Sequence, residues 1–555
     1  MAKADINRKG PLHVKMRANI LEYWDQLDDE SAIDGYDCAN HLPGPHSEIG
    51  RRYPSKREIL REMAAAGVLG LSHVKWEELQ QRYCEGNHTA NVVVPYISFT
   101  RFNRSPPKLT NLVLLSDPAD CARIARDHVK KMPDQALFLG GGVLSTTDTA
   151  SWRAQRSHFA EAFLPRHSLA KLLPINCRRA QASMANLPVR PGGEVVNMNE
   201  FLLHEAMAQL QLSLFGLPES FMADTNKKLR GAFDTITAGT GITSGGDSRY
   251  LDTSAVRAGA AYANTWLTDF LQHADEKSDI AFEAAERAET GDGAATAAPP
   301  DGPLSALIAD SDEPVPNAAT FVFAGHDTTA NTMTWLLYEV AQRPDLQRDL
   351  QGESDALFAR VGGSTGIQYA GLAESLPLLG RCLTETLRLW PAVPNGTFRE
   401  LMADEHIRGP DGSKVLLKKG TYCQVTTWTR HRSAELWGAD VDTWNPHRAF
   451  TERELAFGVS TSGVNPASER FSPFTYPPRD CIGKNFAMME MRIILAHLFH
   501  NFSFDLAEPV KSRDFEKFRG INRGTMGPQD LGTPVGAAPS LAMPMHVTPR
   551  RPSAV

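Results

Sequence analysis

The stretch Phe474-Thr-Tyr-Pro-Pro-Arg-Asp-Cys481-Ile-Gly483 places a cysteine between a proline-rich loop and an apolar segment, residues 485–499. Adjacent prolines exclude regular structure before the cysteine, and the apolar segment predicts a buried helix directly after it. Free backbone N–H groups and the positive end of the helix dipole favour a thiolate at such a position. The pattern therefore predicts a lowered thiol pKa at Cys481, although a buried structural cysteine is the usual explanation for a lone cysteine.

A thiolate at Cys481 has the chemistry of an axial ligand to haem iron, which gains electron density that favours O–O cleavage. Gly483 has no side chain, so a flat macrocycle could approach the start of the helix closely. Arg479 could pair with a haem propionate, because guanidinium and carboxylate groups match as a planar bidentate pair. These three residues form a candidate haem-binding loop.

The composition of the chain excludes several other classes of protein. Of its 555 residues, 42% are apolar, which is enough to fill a sizeable core. The formal net charge is -7 and aromatic-basic clusters are absent, so the sequence does not indicate a nucleic-acid partner. The seven cysteines are widely spaced without a CxxC pair, which argues against a disulfide framework or a zinc module.

The first 85 residues are polar and contain no apolar run long enough for a signal peptide or a membrane span. They predict an N-terminal extension of short helices and loops, without a membrane anchor, before a main domain of residues 86–555. No later window reaches the length of a membrane span either. We therefore expect a soluble, cytoplasmic protein, with peripheral membrane contact through a loop left open.

Helical patterns dominate the chain, and β patterns occur only in short regions such as residues 91–115 and 414–427. The stretch 274–316 is rich in acidic residues, Gly, Ala and Pro, and predicts a flexible linker. A long central helix is expected over residues 317–343, and a second helix, containing LLGRCLTETLRLW, stops at Pro391. The expected fold class is mainly α with a minor β part.

The predicted central helix contains the string Ala324-Gly-His-Asp-Thr328-Thr. Thr328 follows Ala324 by one turn, so its hydroxyl can bond the Ala324 carbonyl and loosen the helix, while Gly325 leaves room for a flat ligand. A hydroxyl beside a carboxylate suits proton delivery to bound oxygen: Asp327 could carry protons in from solvent, and Thr328 could hold water by hydrogen bonds. The alternative is a core helix with a small-residue notch and a partly exposed aspartate.

Glu385 and Arg388 lie three residues apart on the second helix, so their side chains face the same way. A buried arginine needs partners, and Arg448 is a candidate third member. Such a set would fix the irregular loop before Cys481, which is a structural role. The alternative is an ordinary surface pair, which is common.

Together these motifs resemble the cytochrome P450 family. In chain order they are Trp152-Arg-Ala-Gln-Arg156, the Ala324 string, Glu385-x-x-Arg388, Pro446-His-Arg448 and the Cys481 loop. Their order and spacing match the family from residue 91 to residue 547. The resemblance implies the family's fold, with a long central helix over the haem and a small β-sheet region, and haem b (iron protoporphyrin IX) as the cofactor.

The resemblance also implies a role for each matching residue. Cys481 matches the proximal iron ligand, and Thr328 with Asp327 matches the oxygen-activation pair. Glu385, Arg388 and Arg448 match a structural triad. The remaining residues match positions that bind the cofactor: Trp152, Arg156, Arg399 and Arg479 at the propionates, Phe474 near the thiolate, and Ala324, Gly325 and Gly483 against the macrocycle.

Three positions depart from the family pattern. Pro477 stands four residues before the cysteine, where the family usually has Gly, and this puts the N–H bonds around the sulfur in doubt. His447 replaces a usual Glu. His326 lies beside the acidic residue, where the family varies, and we interpret it as a packed or solvated histidine rather than a relay member.

The implied function is a monooxygenase that inserts one atom of O2 into a hydrophobic small molecule, fatty-acid-like or another lipid or secondary metabolite. Electrons would come from a separate ferredoxin or flavin reductase, because no flavin or nicotinamide motif follows residue 502, and Lys484 could dock an acidic partner. The expected pocket is lined by residues 138–144, 320, 321, 324 and 393–397. Two alternatives stay open: a haem-thiolate peroxygenase, isomerase or dehydratase without a redox partner, and a non-enzymatic haem sensor.

Overall fold

The computed structural model describes much of the main domain and little of the N-terminal extension. The described residues are 62, 72–84, 89–98, 108–133, 140–190, 193–217, 232, 261–263, 265–272, 303–363, 366–459, 465–508, 510–512, 521–522, 526–527 and 543–550. Most of the predicted extension, and residues 274–302 of the predicted linker, lie outside them. Those parts of the domain prediction therefore stay predictions.

Helices make up most of the described chain. Numbered along the chain, they are α1 Ser72–Tyr83, α2 Pro118–Asp127, α3 Thr149–Ala160, α4 Ala170–Asn186, α5 Met198–Gln209, α6 Pro303–Ala309, α7 Pro314–Ala341, α8 Pro344–Val361, α9 Pro377–Leu389, α10 Trp428–His431, α11 Ala434–Trp437, α12 Glu452–Val459 and α13 Lys484–Asn501. Three shorter turns complete them: a 3-10 turn Glu161–Phe163 and the π-helical turns Pro165–Leu169 and Leu210–Leu214. The prediction of a mainly α protein with a minor β part is confirmed.

The strands form small separate sheets. They are β1 Val92–Ser98, β2 Lys108–Leu115, β3 Glu194–Asn197, β4 Thr397–Glu400, β5 Glu405–Arg408, β6 Lys414–Leu417, β7 Tyr422–Val425, β8 Phe502–Leu506, β9 Ile521–Asn522, β10 Met526–Gly527 and β11 Pro544–Pro549. The largest sheet has the order β1-β2-β7-β4. Its β2–β7 pair is parallel and places Leu112 beside Tyr422, so distant parts of the chain meet there.

The long helix α7 is the centre of the helical core. It packs along α5 and also contacts α9 and α13. Most of its residues are buried, among them Trp335, Leu336 and Leu337, which have no exposed surface. A helix that is apolar on nearly all sides belongs in the interior of a large domain, so α7 organises the elements that carry the candidate site.

The start of the central helix differs from the prediction. Residues 303–309 of the predicted linker form α6, whose Leu304 and Ile308 are fully buried. Helix α7 then begins at Pro314, and this residue suits a first helical turn because its missing N–H would have no partner there. The prolines that predicted a solvated linker therefore stand at the first positions of helices here.

Side-chain hydrogen bonds fix the start of α2 at the edge of the β1-β2-β7-β4 sheet. Helix α2 begins at Pro118, and the Asp117 carboxylate accepts a hydrogen bond from the Asp120 N–H at 3.0 Å. Asn91 binds the backbone N–H groups of Ser116 and Asp117, which fixes the turn between β2 and α2. These contacts set the start of the segment that carries Lys131 into the site.

Two observations concern the whole described chain. No helix among the described residues is long and apolar enough to cross a lipid bilayer. Every cysteine in the described part of the chain is a free thiol, and Cys481 alone among them is solvent-accessible; Cys84 is half-buried and the others are buried.

Candidate active site

The loop before α13 positions Cys481. Its backbone N–H donates to the Phe474 carbonyl at 3.0 Å, which closes the loop over seven residues. Thr475 has a positive φ of 58°, and the Pro477-Pro478 peptide bond is cis. Gly483 is the N-cap of α13, so Cys481 lies two residues before the cap, next to the unpaired N–H groups of the first turn.

The environment of Cys481 corrects the predicted direction of its pKa shift. Burial raises the pKa of the Cys481 thiol above its ordinary value, although the Lys484 ammonium, the Gly483 N–H and Arg156 act in the opposite direction. The helix terminus therefore does not outweigh desolvation in the protein alone. The residue as a whole is nevertheless exposed to solvent.

Asp480, which precedes Cys481 in the chain, binds several charged and polar side chains. The sequence analysis did not identify Asp480 as a site residue. Its carboxylate accepts from Arg156 at 2.7 Å and Asn465 at 2.9 Å, and pairs with Lys484 at 3.1 Å. Arg156, predicted at a propionate, is thus held by a protein carboxylate. The Lys484 side chain is only 12% exposed, and its predicted docking role stays a prediction.

Three buried cations converge on the other side of the loop. Arg479 donates to the carbonyls of Val129 at 2.7 Å and Thr146 at 2.9 Å, and lies over the Trp152 ring at 5.1 Å. Arg399 and Lys131 both donate to the Thr397 hydroxyl, at 2.6 Å and 2.8 Å. Lys131 is therefore a site residue that the sequence analysis missed, and a lysine in a loop between patterns gave no signal for it.

These cations have no counter-ion among the residues that the structure describes. Within the described residues, neither Lys131, Arg399 nor Arg479 forms an ion pair with a carboxylate, and Arg399 Nε and Nη2 and Arg479 Nε have no hydrogen-bond partner. Burial lowers the pKa of Arg399 to about 10, and burial with repulsion from Arg399 and Arg156 lowers that of Arg479 to about 9. Burial and the two arginines hold the pKa of Lys131 well below its usual value.

Buried charges are normally paired, so this arrangement calls for an anion with two or more acceptor oxygens. The two propionates of a haem have that chemistry, and bidentate donors suit carboxylates. The residues present therefore fit a haem, which Cys481 would ligate and which the three cations would hold by its carboxylates. Trp152 is buried against Arg479, as expected for a residue that orients it.

On α7, the Thr328 hydroxyl donates to the Ala324 carbonyl at 2.9 Å, the bond that their spacing predicts. The helix nevertheless continues unbroken from Pro314 to Ala341. Asp327 is half-buried and its Oδ1 accepts from Asn331 at 3.2 Å. His326 is buried and bonds the Val322 carbonyl at 2.7 Å, which agrees with a packed histidine.

The two glycines predicted at the cofactor have different surroundings. A Cβ atom on Gly325 would lie 2.9 Å from Leu210 Cδ2, so the space at Gly325 is used for close packing between α7 and the turn after α5. A Cβ atom on Gly483 would meet only Phe163, at 3.7 Å. Sterics within the protein therefore explain Gly325, whereas the predicted macrocycle contact of Gly483 stays a prediction.

Glu385, Arg388 and Arg448 come together in the interior. Arg388 donates to both carboxylate oxygens of Glu385 at 2.8 Å, and both side chains are 0% exposed. Arg448 donates to Glu385 at 3.2 Å and to Asp440 at 2.9 Å. The alternative of an ordinary surface pair is excluded by this burial.

The triad is joined to the cysteine loop through α10. Arg388 donates to the His431 carbonyl at 2.8 Å, and His431 Nε2 accepts from the Ser472 N–H at 3.0 Å. Arg430 donates to the Tyr476 and Ser472 hydroxyls, at 2.8 Å and 2.6 Å. The triad thus fixes the position of the segment that leads to Cys481, which is the structural role expected from the sequence.

Several residues that were expected to line a substrate pocket have packing partners within the protein. Phe321 packs into an aromatic cluster with Phe159 at 5.0 Å and Phe163 at 5.9 Å, and Thr397 belongs to the cation cluster. Gly142 packs against the first turns of α7, close to Thr320. Residues 138 and 139 lie outside the described residues, so the rest of the pocket prediction stays a prediction.

Comparison with known proteins agrees with this geometry. The family model named Cytochrome P450 matches residues 307–528. A cytokinin hydroxylase of Arabidopsis thaliana is 37% identical over 189 residues, 34% of this chain and 33% of that protein. Cytochrome P450 3A12 of Canis lupus familiaris is 35% identical over 192 residues (35% and 34%), and human Cytochrome P450 4F12 is 35% identical over 202 residues (36% and 35%).

The chain thus matches about a third of the length of each of these curated relatives. The matched family region contains Cys481, Arg399, Arg479, the Thr328 segment and the triad, whereas Trp152, Arg156 and Lys131 precede it. Sequence order, fold and site geometry agree with this match, which assigns residues 307–528 to the cytochrome P450 family.

Proposed function

We propose that this protein is a haem-thiolate monooxygenase that transfers one atom of O2 to a hydrophobic small molecule and releases the other as water. The observation that carries the proposal is a set of buried cations beside the Cys481 loop: Lys131, Arg399 and Arg479. They have no carboxylate partner within the described part of the chain. A dianionic macrocycle with an iron to be ligated by sulfur satisfies both features.

Haem b would be held at three places. The Cys481 sulfur would ligate the iron, the guanidinium groups of Arg399 and Arg479 would bind the propionates, and Lys131 would add a third donor. Ala324, Gly325, Phe474 and Gly483 would lie against the macrocycle. When bound, this group supplies the activation of dioxygen, to which a thiolate ligand contributes electron density.

The protein's own task in the reaction is to position groups and move protons. Asp327 is half-buried, so its carboxylate can exchange protons with solvent and still deliver them inside. The Thr328 hydroxyl donates to Ala324 in this structure, which leaves its oxygen able to accept a hydrogen bond. Turning the hydroxyl away from Ala324 would let the same group donate a proton toward the reacting oxygen.

The substrate class and the electron source are further parts of the proposal. Hydroxylase and monooxygenase are words in the names of relatives, and the RLWPAVP string supports a fatty-acid-like or other lipid substrate only by analogy. An external ferredoxin or flavin reductase would supply two electrons. Because Lys484 is engaged by Asp480, docking would use other basic residues.

The first test is the spectrum of the reduced, carbon-monoxide-bound protein. We expect a strongly red-shifted Soret band for the wild-type protein and its loss in Cys481→Ala. Cys382→Ala is the matched control, because Cys382 is a buried free thiol on α9, and it should keep the band. A protein that stays colourless after haem supplementation, or whose iron is ligated by nitrogen, would contradict the proposal.

Turnover experiments separate the alternatives. A ligand screen by iron spin state should identify binding molecules, and product formation should require the redox partner. Turnover supported by peroxide alone, or isomerisation without electrons, would indicate the partner-independent alternatives. Haem binding without any spin-state change across the screen would indicate a sensor.

A further inference from the structure

A loop of residues 140–146 is bound by side chains from two helices that carry candidate site residues. Asn317, in the first turn of α7, accepts a hydrogen bond from the Val143 N–H at Oδ1, with a distance of 2.8 Å. Gln155 of α3 donates from Nε2 to the Gly141 carbonyl at 2.9 Å. Both side chains are buried, Asn317 completely, so these bonds are shielded from competing water.

The same loop is bound by Arg479, which precedes the cysteine. Arg479 Nη2 donates to the Leu144 carbonyl at 3.3 Å and to the Thr146 carbonyl at 2.9 Å. Since Arg479 belongs to the cation cluster that would hold the cofactor, the backbone of Leu144 lies beside that cluster. The Leu144 side chain is 41% exposed, whereas its neighbours Val143 and Ser145 are buried, so it is an apolar group that a ligand could cover.

Glycine allows this loop to lie directly on α7. A Cβ atom on Gly142 would be 2.9 Å from the Pro316 carbonyl oxygen and 3.0 Å from Thr320 Oγ1. The backbone of α7 cannot move aside, and the Thr320 hydroxyl is held by its own bond to the Pro316 carbonyl at 2.8 Å. Only a residue without a side chain fits at this distance, so close packing and the Asn317 bond fix the loop against the same turn of α7.

We propose that Asn317 is a specificity-determining residue, which holds the 140–146 loop as a fixed wall against α7 so that Leu144 meets the apolar part of a ligand. Asn317 acts through the loop and is therefore a positioning residue, and its role rests on the haem-thiolate function proposed above. Its orientation is itself fixed, because Nδ2 donates to Ser311 Oγ at 3.3 Å and leaves Oδ1 for the Val143 N–H. A wall that is already in place favours hydrocarbon groups that it can cover without moving.

Two variants release the loop by different means. Asn317→Leu is nearly isosteric but leaves the buried Val143 N–H without its acceptor, and Gly142→Ala pushes the loop away from the Pro316 carbonyl. Asn317→Asp is the rescue variant. Burial favours the neutral carboxyl group, which still accepts at one oxygen and donates from the other, as the amide does.

Gln347→Leu and Gly352→Ala, both on α8, are the matched controls. Gln347 is a buried amide whose Oε1 accepts from the Phe504 N–H at 2.7 Å, so its loss removes a comparable bond in the contact between α8 and β8. A Cβ atom on Gly352 would meet no atom of the described residues within 4 Å.

The probes are 1-alkylimidazoles from methyl to octyl, whose ring nitrogen ligates haem iron, and binding to the haem-loaded full chain is followed by the Soret band. Each affinity is divided by that of 1-methylimidazole for the same variant. In wild-type protein the affinity should rise about fourfold for each added methylene group, which is the gain for its full burial. In Asn317→Leu, Gly142→Ala and Leu144→Ala the rise should fall to about twofold or less, because part of the alkyl chain stays in water. Asn317→Asp and both controls should keep the wild-type rise.

The outcomes for the fixed wall and for the proposed function are separable. A wild-type rise in Asn317→Leu or in Leu144→Ala, in protein that keeps the red-shifted carbon-monoxide spectrum, overturns the wall and leaves the haem-thiolate proposal intact. An equal fall in the controls or in Asn317→Asp, or a wild-type affinity that does not rise with chain length, also overturns the wall. If Asn317→Leu does not fold, Gly142→Ala decides in its place. Absence of the red-shifted spectrum in wild-type protein overturns the proposed function, whatever the imidazole affinities.

Discussion

Replacing Glu385 by Gln tests whether the buried triad is held together by its single carboxylate. Glu385 accepts from Arg388 Nε and Nη2 at 2.8 Å, from the Asn445 N–H at 2.9 Å and from Arg448 at 3.2 Å. Gln has the same shape but one acceptor oxygen, so a fully buried Arg388 would lose its counter-ion and face an NH2 donor.

Breaking a buried ion pair by removing one partner costs about 3 to 5 kcal/mol, because the remaining charge is uncompensated. With an unfolding entropy of about 2.1 cal/mol/K per residue for a folded region of roughly 400 residues, that loss lowers the thermal midpoint by about 3 to 6 °C. Since Arg388 also bonds the His431 carbonyl, the loop that leads to Cys481 should loosen and haem retention should fall with it.

The assay is thermal unfolding of the haem-loaded protein, followed by circular dichroism and by the Soret band. Asp345→Asn is the control, because its ion pair with Arg348 lies at the surface with Asp345 91% exposed, and we expect less than about 0.5 kcal/mol there. The double variant Glu385→Gln with Arg388→Gln should lose less than the sum of the single variants. A midpoint for Glu385→Gln within 1 °C of wild type would refute the reasoning.

Three other predictions concern proton delivery, pH and the cofactor. Thr328→Ala should keep the carbon-monoxide spectrum but uncouple electron use from product formation. Thr329→Ala, which loses only a bond to the Gly325 carbonyl, should stay coupled. Tight coupling in Thr328→Ala would contradict the role proposed for the Thr328 hydroxyl. Burial lowers the pKa of His497 from 6.5 to about 4, so the unfolded chain binds a proton that the native protein does not, and stability should fall by about 3 kcal/mol as the pH drops from about 6.5 to 4. His497→Leu should flatten that part of the denaturation profile, and an unchanged slope would refute the assignment. Lys131→Met should accelerate the transfer of haem to apomyoglobin about tenfold to a hundredfold, because it removes a charged donor. Lys130→Met removes a partly exposed ion pair with Glu400 and should not accelerate it. Equal rates of haem loss in the two variants would show that Lys131 does not belong to the site.

Local signals in the sequence gave the elements and part of the site. The predicted ends of the central helix and of the helix before Pro391 followed from proline, and the i−4 bond of Thr328 followed from helical spacing. The Glu385–Arg388 contact also followed from spacing, but its burial did not, because burial depends on what packs over the helix. Arg448 reaches Glu385 from 63 residues away, a pairing that the sequence could name only as a candidate.

What the sequence could not give depends on long-range packing and on competing energies. Lys131 meets Thr397 across 266 residues and Asn199 meets Asn331 across 132, and no local pattern encodes such pairs. The pKa of Cys481 was predicted in the wrong direction, because a helix terminus can be read from sequence and desolvation cannot. The acidic and proline-rich composition likewise predicted a linker at residues 303–316. Part of this stretch is helical instead, because its apolar side chains are buried against the domain.

The bond from Arg479 to the Val129 carbonyl spans 350 positions of the chain. Contacts so far apart in sequence form late, after loop closure has been achieved elsewhere. At a synthesis rate of roughly 5 to 20 residues per second, the first half of the site waits on the ribosome for tens of seconds before Arg479 and Cys481 emerge. Capture of the proposed haem would therefore follow the synthesis of Cys481, and any truncation ahead of residue 479 yields a product that cannot assemble the candidate site.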